Sequence, residues 1–217
     1  DKLVDLGATV IFGETTEFIG GEHLLARRAV SKEVGDKILK IVDDMELRAK
    51  SLGCDMRKGQ PTPGNIEGGL SSIEEKSLGA IMKSGSKPIQ GVLGYTERVT
   101  DQKGLWIKDT PGREPEILTG MAATGAQVMM FSTGRGAPQG FPSMPVIKIC
   151  GNPNTYERME EDMDINAGRI ITGEKTIEEV GEEAFAKLIR TLSGEMTKNE
   201  AIQYITSIDI QCLGPVI

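Results

Sequence analysis

Short apolar runs alternate with helical patterns along the chain, and this alternation constrains the fold more than any other feature of the sequence. The runs occupy residues 8–12, 87–95, 104–109, 126–130 and 145–150. Their apolar residues do not alternate regularly with polar residues, which is typical of strands buried on both faces of a parallel sheet, although the run at 104–109 also fits one arm of a hairpin. We therefore predict an α/β fold, with a mainly parallel sheet flanked by helices in a Rossmann-like three-layer architecture.

The 217 residues contain no internal repeat and no linker long enough to divide them. A chain of this length buries about 70% of its unfolded surface, so it needs no disulfide or metal in order to fold. We predict one α/β domain over residues 1–217. Residues 1–7 look like the last turns of a helix, and no methionine opens the chain. For this reason we expect the chain to be a fragment of a longer protein.

Two long segments carry strong helix signals. Residues 31–52 repeat apolar side chains at helical spacing behind a potential cap at Ser31, and residues 176–193 do so behind Thr176. The end of the chain, residues 208–217, is apolar enough to dock onto the fold.

The composition excludes several classes of function. Acidic residues outnumber basic residues by 32 to 25, and the net charge of −7 argues against a nucleic-acid surface. No apolar run approaches the length of a membrane span, and no signal-peptide pattern is present. Cys54, Cys150 and Cys212 lie far apart, which excludes the common zinc and cluster motifs and indicates a reducing compartment. We predict a cytoplasmic protein with neither a nucleic-acid nor a membrane partner.

The apolar run at 126–130 leads into the sequence FSTGRGAPQG at residues 131–140. A strand that ends here gathers hydroxyls, backbone N–H groups and the guanidinium of Arg135 at its carboxyl end, where ligands bind in open α/β sheets. Glycine lets a ligand approach the backbone closely, and arginine grips a carboxylate or phosphate with two N–H groups. We predict an anion-binding loop. The alternative is a plain strand-to-loop turn with a solvated arginine.

The first predicted strand is followed by an acidic segment that also holds the single histidine of the chain. The segment contains Glu14, Glu17, Glu22 and His23 within ten residues. Carboxylates and an imidazole suit Mg²⁺, Mn²⁺ or Fe²⁺, or they form a general acid–base pair. The alternative is that the acids are solvated and that Glu22 and His23 open a helix whose dipole the acids complement.

Residues 57–70 are rich in proline and glycine, and we predict a loop with Asn65 in its centre. Ser71 or Ser72 then caps a helix, with Ser71 and Glu74 spaced as a capping box. A glycine-rich loop that feeds a helix can cradle an anion or a substrate. The spacing matches neither the Walker nor the dinucleotide motif.

Three further polar residues have two interpretations each. Lys76 and Lys83 follow the loop on the predicted helix and could be catalytic, although a solvated helix face is the more ordinary reading. Asp164 belongs to the acidic tract 160–168 and could bind a metal or a hydroxyl, or it could lie at a solvated helix end.

Taken in order, these motifs cover nearly the whole chain. They read GETTE and EHLLARRA, then PTPGNIEGGLSSIEEKSLGAIMKSGSKPI, FSTGRGAPQG, MPVIKI and MDINAGRIITGE. The series resembles the C-terminal portion of the altronate/galactarate dehydratase family, sugar-acid dehydratases that also include a sulfolactate sulfo-lyase. Members of this family carry further sequence before this point, including a Cys-Gly-Gly-Ser-Asp-like motif and a small N-terminal domain. The resemblance implies a C-terminal fragment that depends on the missing N-terminal portion and is inactive alone.

The resemblance also implies a reaction, namely the removal of water from a 2,3-dihydroxy acid to give a 2-keto-3-deoxy acid. The expected partner is a small-molecule sugar acid, and the expected cofactor is a divalent metal, Fe²⁺ or Mn²⁺ with Mg²⁺ as the alternative. We also expect a homo-oligomer. The alternatives are a sulfolactate sulfo-lyase subunit, which eliminates sulfite, and a non-catalytic scaffold or oligomerisation domain.

Roles for individual residues follow from the matched motifs together with chemical type. Metal ligands would be Glu14, Glu17 and His23, and catalytic groups would be Glu17, His23 and Arg135. Substrate contacts would come from Asn65, Thr133, Arg135 and Asp164.

Overall fold

The computed structural model describes residues 1–99, 102–205 and 208–212. They form two compact units, which divide after Gly120. The first unit comprises residues 1–120 together with 211 and 212, and the second comprises residues 121–210. Each unit contains one three-stranded sheet, and all strand pairs in both sheets are parallel. The α/β prediction is confirmed, with the parallel strands distributed over two sheets. That the chain forms a single domain stays a prediction.

The sheet of the first unit contains β1 (Thr9–Phe12), β2 (Ile89–Leu93) and β3 (Gly104–Lys108). Their order is β1-β3-β2, so β3 is the central strand. Because β3 runs parallel to both neighbours, it is a sheet strand and not an arm of a hairpin. Parallel pairing also places the carboxyl ends of all three strands at one edge.

The first unit also contains several helices. They are α1 (Lys2–Asp5), α2 (Glu22–Ala26), α3 (Lys32–Ser51), α4 (Met56–Gly59), α5 (Pro63–Glu67) and α6 (Ile73–Met82), with a 3₁₀ turn at Thr15–Phe18. The next helix, α7 (Glu114–Thr124), contains the position at which the chain divides into its two units. Ser31 caps α3 as predicted, because its hydroxyl accepts a hydrogen bond from the Val34 N–H at 3.3 Å.

The core of the first unit joins the sheet to the 3₁₀ turn and the longer helices. Its buried residues are Phe18, Ile19, Leu25, Ile38, Val42, Ile73, Ile81, Ile89, Leu105 and Ile107. Ile38 and Val42 lie one turn apart on α3, which explains the helical spacing of apolar residues in that segment. Ile73 and Ile81 anchor α6 in the same core, so the polar side chains of α6 are held at fixed positions beside the sheet.

The segment 57–70 is not the open loop that its composition predicts, since it contains α4 and α5. Pro63 stands at the first turn of α5, a position where the missing N–H costs nothing. The cap of α6 is Ser72, whose hydroxyl accepts from the Glu75 N–H at 3.2 Å. The predicted pairing of Ser71 with Glu74 is therefore displaced by one residue.

The sheet of the second unit contains β4 (Met129–Thr133), β5 (Val146–Cys150) and β6 (Ile165–Asn166), in the order β4-β5-β6. The first of these lies three residues later than its apolar run predicts. Pairing with β5 sets this position, because Met129 lies opposite Val146 and Thr133 opposite Cys150. The strand therefore includes the Ser132 and Thr133 hydroxyls.

The second unit also contains α8 (Pro153–Arg158), α9 (Ile177–Leu192) and α10 (Lys198–Ala201), with a 3₁₀ turn at Ala167–Ile170. Thr176 caps α9 as predicted, and it forms a capping box with Glu179. No helix in the described part of the chain combines the length and apolar character that a bilayer span requires. In the predicted docking tail, the N–H of Gln211 donates to the Tyr95 hydroxyl at 3.4 Å, and residues 213–217 lie outside the described residues.

Candidate functional site

The carboxyl ends of β1 and β3 bring together residues that lie far apart in the sequence. We call this group the first-unit cluster, and it consists of Glu14, Thr15, Glu17, Lys76, Asp109 and Thr110. The Thr15 hydroxyl donates to Asp109 Oδ1 at 2.7 Å and accepts from the Thr110 N–H at 3.1 Å. Both threonines are fully buried. These bonds join the segment after β1 to the segment after β3, a link that no local pattern in the sequence reveals.

Glu14 adopts a backbone conformation that few residues other than glycine adopt, with φ 79° and ψ 62°. Its N–H donates to the Thr110 hydroxyl at 2.6 Å, which holds this conformation in place. A residue other than glycine in the left-handed backbone conformation costs roughly 1 kcal/mol or more, and such residues cluster at functional sites. The first-unit cluster therefore stores backbone strain at its acidic residue.

The carboxyl group of Glu14 is partly buried and titrates near neutrality. Burial raises its pKa to about 7, and the negative charge of Glu17 adds to this effect. The positive charges of Lys83 and Lys76 oppose the rise, and Glu114 adds a small further increase. A carboxyl group with a pKa near the ambient pH can both accept and donate a proton, as general acid–base chemistry requires.

Lys76 is engaged with Glu17 and is not part of a solvated helix face. Its Nζ lies 2.9 Å from Glu17 Oε1 and donates to Gln60 Oε1 at 2.7 Å. Only 18% of each side chain in the Lys76–Glu17 pair is exposed. The solvated reading of Lys76 is therefore wrong. The sequence alone could not reveal the pair, because its partners come from three separate segments.

The predicted metal ligands do not form a preassembled group. His23 is exposed on α2, whereas Glu14 and Glu17 lie close enough for the charge of one to affect the pKa of the other. Across residues 1–99, 102–205 and 208–212, no three His, Cys, Asp or Glu side chains gather as a group that could hold a metal ion. The donor types of these three residues fit a divalent metal. Their role as a ligand set stays a prediction.

Asn65 takes part in the start of α5. Its Oδ1 accepts from the Thr62 N–H at 3.1 Å and from the Thr62 hydroxyl at 2.9 Å. The side-chain oxygen is therefore committed to the fold, and a contact with a ligand would fall to the amide nitrogen. The predicted substrate contact of Asn65 stays a prediction in this narrower form.

In the second unit, Thr133 and Arg135 lie at and just after the carboxyl end of β4. The Thr133 hydroxyl accepts from the Arg135 N–H at 3.2 Å, and the Arg135 side chain is exposed. The Thr155 hydroxyl donates to the Gly134 carbonyl at 3.0 Å. Gly136 has φ 83°, and a Cβ atom there would lie 2.1 Å from Met159 Sδ, so the turn requires glycine. The loop thus has a fixed shape and a guanidinium that solvent can reach.

Asp164 is neither a solvated helix end nor an open ligand. Its Oδ2 accepts from the Lys148 N–H at 2.8 Å, and its Oδ1 accepts from the Lys198 N–H at 3.0 Å. The side chain is 0% exposed, and Lys187 Nζ lies 3.5 Å from Oδ1. These contacts hold the first residues of β6 and of α10 in place. They give no support to the predicted role of Asp164 as a substrate contact, which stays a prediction.

The second unit also contains a cavity of about 400 Å³ that no sequence pattern predicted. Its lining residues are Tyr156, Asp164, Ile165, Asn166, Arg169, Glu183, Ala186, Lys187 and Arg190. The cationic groups in this lining bond to carboxylates of the chain itself, as in the pairs Arg169–Glu183 and Lys187–Glu195. Carboxylates of the chain itself therefore balance positive charges in the cavity lining.

The candidate residues belong to two units. Glu14, Glu17, His23 and Asn65 lie in the first, and the Thr133–Arg135 loop lies in the second. That they act together on one ligand stays a prediction.

Known proteins match the chain over most of its length. A family model described as D-galactarate/Altronate dehydratase, C-terminal, matches residues 1–212. The (2R)-sulfolactate sulfo-lyase subunit beta of Chromohalobacter salexigens is 39% identical over 204 residues, which is 93% of this chain and 52% of that protein. The galactarate dehydratase (L-threo-forming) of Escherichia coli is 42% identical over 195 residues, 90% of this chain and 37% of that protein.

The altronate dehydratase of Bacillus subtilis is 34% identical over 200 residues, which is 92% of this chain and 40% of that protein. The chain thus spans about half the length, or less, of these relatives. The relatives are two dehydratases and one sulfo-lyase, all of them lyases. The chain belongs to the D-galactarate/altronate dehydratase family and corresponds to its C-terminal part.

Proposed function

We propose that the chain is the catalytic C-terminal part of a hydro-lyase that acts on a sugar acid of the galactarate or altronate type. The observation that carries the proposal is the pair of carboxylates in the first-unit cluster. Glu14 titrates near neutrality on a strained backbone, and Glu17 is held by a largely buried lysine. Such a pair fits a reaction in which one proton is removed and another is supplied.

The elimination needs a base at C2 and an acid at the 3-hydroxyl. The base takes the proton from C2, and the electron pair of the C2–H bond becomes the C2–C3 double bond. The 3-hydroxyl accepts a proton and leaves as water, and the resulting enol becomes the 2-keto-3-deoxy acid. Glu14, with a pKa of about 7, is suited to take or give a proton at neutral pH. Glu17 and His23 are the further groups that we assign to this chemistry.

The acid itself must be held by positively charged and polar groups. Arg135 is exposed beside a hydroxyl at a strand end, and we assign the substrate carboxylate to Arg135 and Thr133. The amide nitrogen of Asn65 would contact a hydroxyl. A divalent metal, Fe²⁺ or Mn²⁺ with Mg²⁺ as the alternative, would be held by Glu14, Glu17 and His23, and when bound it would stabilise negative charge on the substrate.

The second candidate function is elimination of sulfite from sulfolactate. It is favoured by the match to the sulfo-lyase subunit over 93% of this chain. Because the relatives are longer than the chain, we propose that activity needs further polypeptide and that the chain alone is inactive. A homo-oligomeric assembly and a cytoplasmic location complete the proposal.

The test uses the complete gene product that carries this sequence, incubated separately with galactarate, altronate and sulfolactate. We expect a 2-keto-3-deoxy acid from one of the two sugar acids. Release of sulfite from sulfolactate without turnover of the sugar acids would establish the second candidate. Full activity in each of the folded variants Glu14→Gln, His23→Ala and Arg135→Ala would show that this chain is a scaffold whose chemistry resides elsewhere.

A further inference from the structure

The helix that carries Lys76 is docked tightly beside the acidic segment after β1. The Ser77 hydroxyl donates to the Ile19 carbonyl at 2.5 Å in a buried contact. A Cβ atom on Gly21 would lie 2.6 Å from Ile81 Cδ1 and 3.4 Å from Ser77 Cβ, so side chains of α6 pack directly against this backbone. The backbone that carries Lys76 is therefore held in place, and the contacts with Glu17 and Gln60 restrict its ammonium group.

Within the described part of the chain, one of the N–H groups of the Lys76 ammonium has no acceptor. The ammonium has three N–H groups, and in the described residues it meets two acceptors, Glu17 Oε1 at 2.9 Å and Gln60 Oε1 at 2.7 Å. The side chain is 18% exposed, which leaves part of it open to solvent and to a small molecule at the edge of the sheet. A fixed cationic donor of this kind suits an anionic oxygen.

The charges around this edge explain why such a donor is needed. Without a bound metal ion, Glu14 and Glu17 repel an approaching carboxylate, and each of the proposed substrates is a carboxylic acid. Lys76 and Lys83 are the positive charges that act on Glu14. Lys76 lies on α6 and Lys83 follows its last residue, seven positions or about two helical turns later, so both lie on the same side of the helix. These two positive charges therefore offset the repulsion that an acid meets near the Glu14 carboxylate.

We propose that Lys76 is a substrate-binding residue, whose third N–H group donates to a carboxylate oxygen of the 2-hydroxy acid, in addition to the contacts assigned to Arg135 and Thr133, while its other two hold Glu17 and Gln60. This inference rests on the function proposed above. As the proton leaves C2, negative charge spreads onto this carboxylate, so the same hydrogen bond strengthens toward the transition state. Lys76 thereby fixes the distance between the substrate and the Glu17 carboxylate.

The test compares Lys76→Met and Lys76→Arg in the complete gene product, with Lys40→Met as the matched control. Lys40 also pairs with an acid, Asp44 at 2.6 Å, but on the exposed face of α3. We expect Lys76→Met to lower kcat/KM about a hundredfold, with a raised KM, because one charged donor to the substrate is lost. Lys76→Arg keeps the charge and should recover part of the loss, and Lys40→Met should stay within twofold of the wild type.

Thermal midpoints are measured for all variants, and kinetic constants are corrected for the folded fraction. The proposal is overturned if Lys76→Met keeps kcat/KM within threefold of the wild type. It is also overturned if the loss leaves KM unchanged and Lys76→Arg recovers nothing, since a purely structural ion pair gives that result. A wild-type protein that turns over none of the three acids would refute the proposed function, and this inference with it.

Discussion

Glu14 and Asp164 are both carboxylates beside a parallel strand, and they serve opposite purposes. Asp164 is fully buried, and each of its oxygens accepts a backbone N–H bond. Glu14 is partly buried, has a strained backbone, and has a pKa raised by burial and by a neighbouring acid. A carboxylate whose hydrogen bonds are satisfied by the fold stabilises the fold. One that is buried beside another acid costs stability and is available for chemistry.

The largest expected effect tests the chemical side of this comparison. Glu14→Gln removes the proton-transfer group and keeps the shape of the side chain. We expect kcat of the complete gene product to fall about a thousandfold, within the range for loss of a general acid or base. Glu33→Gln, which changes an exposed glutamate paired with Lys37, is the control and should leave kcat unchanged. Equal activity of both variants would remove Glu14 from the mechanism.

The next effect tests the structural side. Asp164→Ala leaves two backbone N–H groups and the Lys187 ammonium without the Asp164 carboxylate. We expect the free energy of unfolding to fall by about 3–5 kcal/mol. Asp44→Ala breaks an exposed ion pair and should cost less than about 1 kcal/mol. Urea denaturation of both variants gives the two values. A loss below that of Asp44→Ala would show that the contacts of Asp164 contribute little.

A smaller effect links the Glu14 carboxylate to pH. Its pKa is raised from 4.5 to about 7 in the fold, so the folded protein binds the proton more tightly than the unfolded chain. The resulting stabilisation is complete below about pH 4.5 and is lost as the pH rises through about 7, at a total of about 3 kcal/mol.

Glu14→Gln carries no such titration. We therefore expect the variant to gain stability relative to the wild type between pH 5 and pH 8, measured by urea denaturation in the presence of a chelator. An identical pH dependence of both proteins would contradict a raised pKa at Glu14.

The smallest effect concerns the helix that carries Lys76. Gly21→Ala places a Cβ atom 2.6 Å from Ile81 Cδ1 and should destabilise the fold by about 1 kcal/mol, because the buried Ile81 side chain must move within a packed core. Gly79→Ala is the control on the same helix, since a Cβ atom there has nothing within 4 Å. It should be neutral or stabilising by up to about 1 kcal/mol. If Gly21→Ala were equally harmless, the docking of α6 would be looser than described.

Local signals in the sequence predicted the features that depend on neighbouring residues. The short apolar runs predicted parallel strands, and Ser31 and Thr176 were found as caps because a cap and its partner lie three residues apart. The position of β4 was wrong by three residues, since pairing with β5 and not the apolar run decides it. The helices within 57–70 were missed because proline and glycine also occur at helix starts and ends.

The candidate site was predicted in its residue types but not in its connections. The acidic segment was found because three carboxylates and a histidine follow a strand. The bonds between Thr15 and Thr110 and the Glu17–Lys76 pair depend on how distant segments meet, which spacing does not encode. The structural contacts of Asp164 could not be predicted for the same reason, because its partners Lys148 and Lys198 belong to other elements.

The left-handed backbone of Glu14 predicts how this position responds to selection for stability and to selection for activity. At this position glycine would relax the conformation and remove a buried acid, so selection for heat resistance alone would replace Glu14. Selection for turnover would keep it. A library screened separately for these two properties should therefore diverge first at this residue, and a stabilised lineage that has lost it should have lost its catalysis as well.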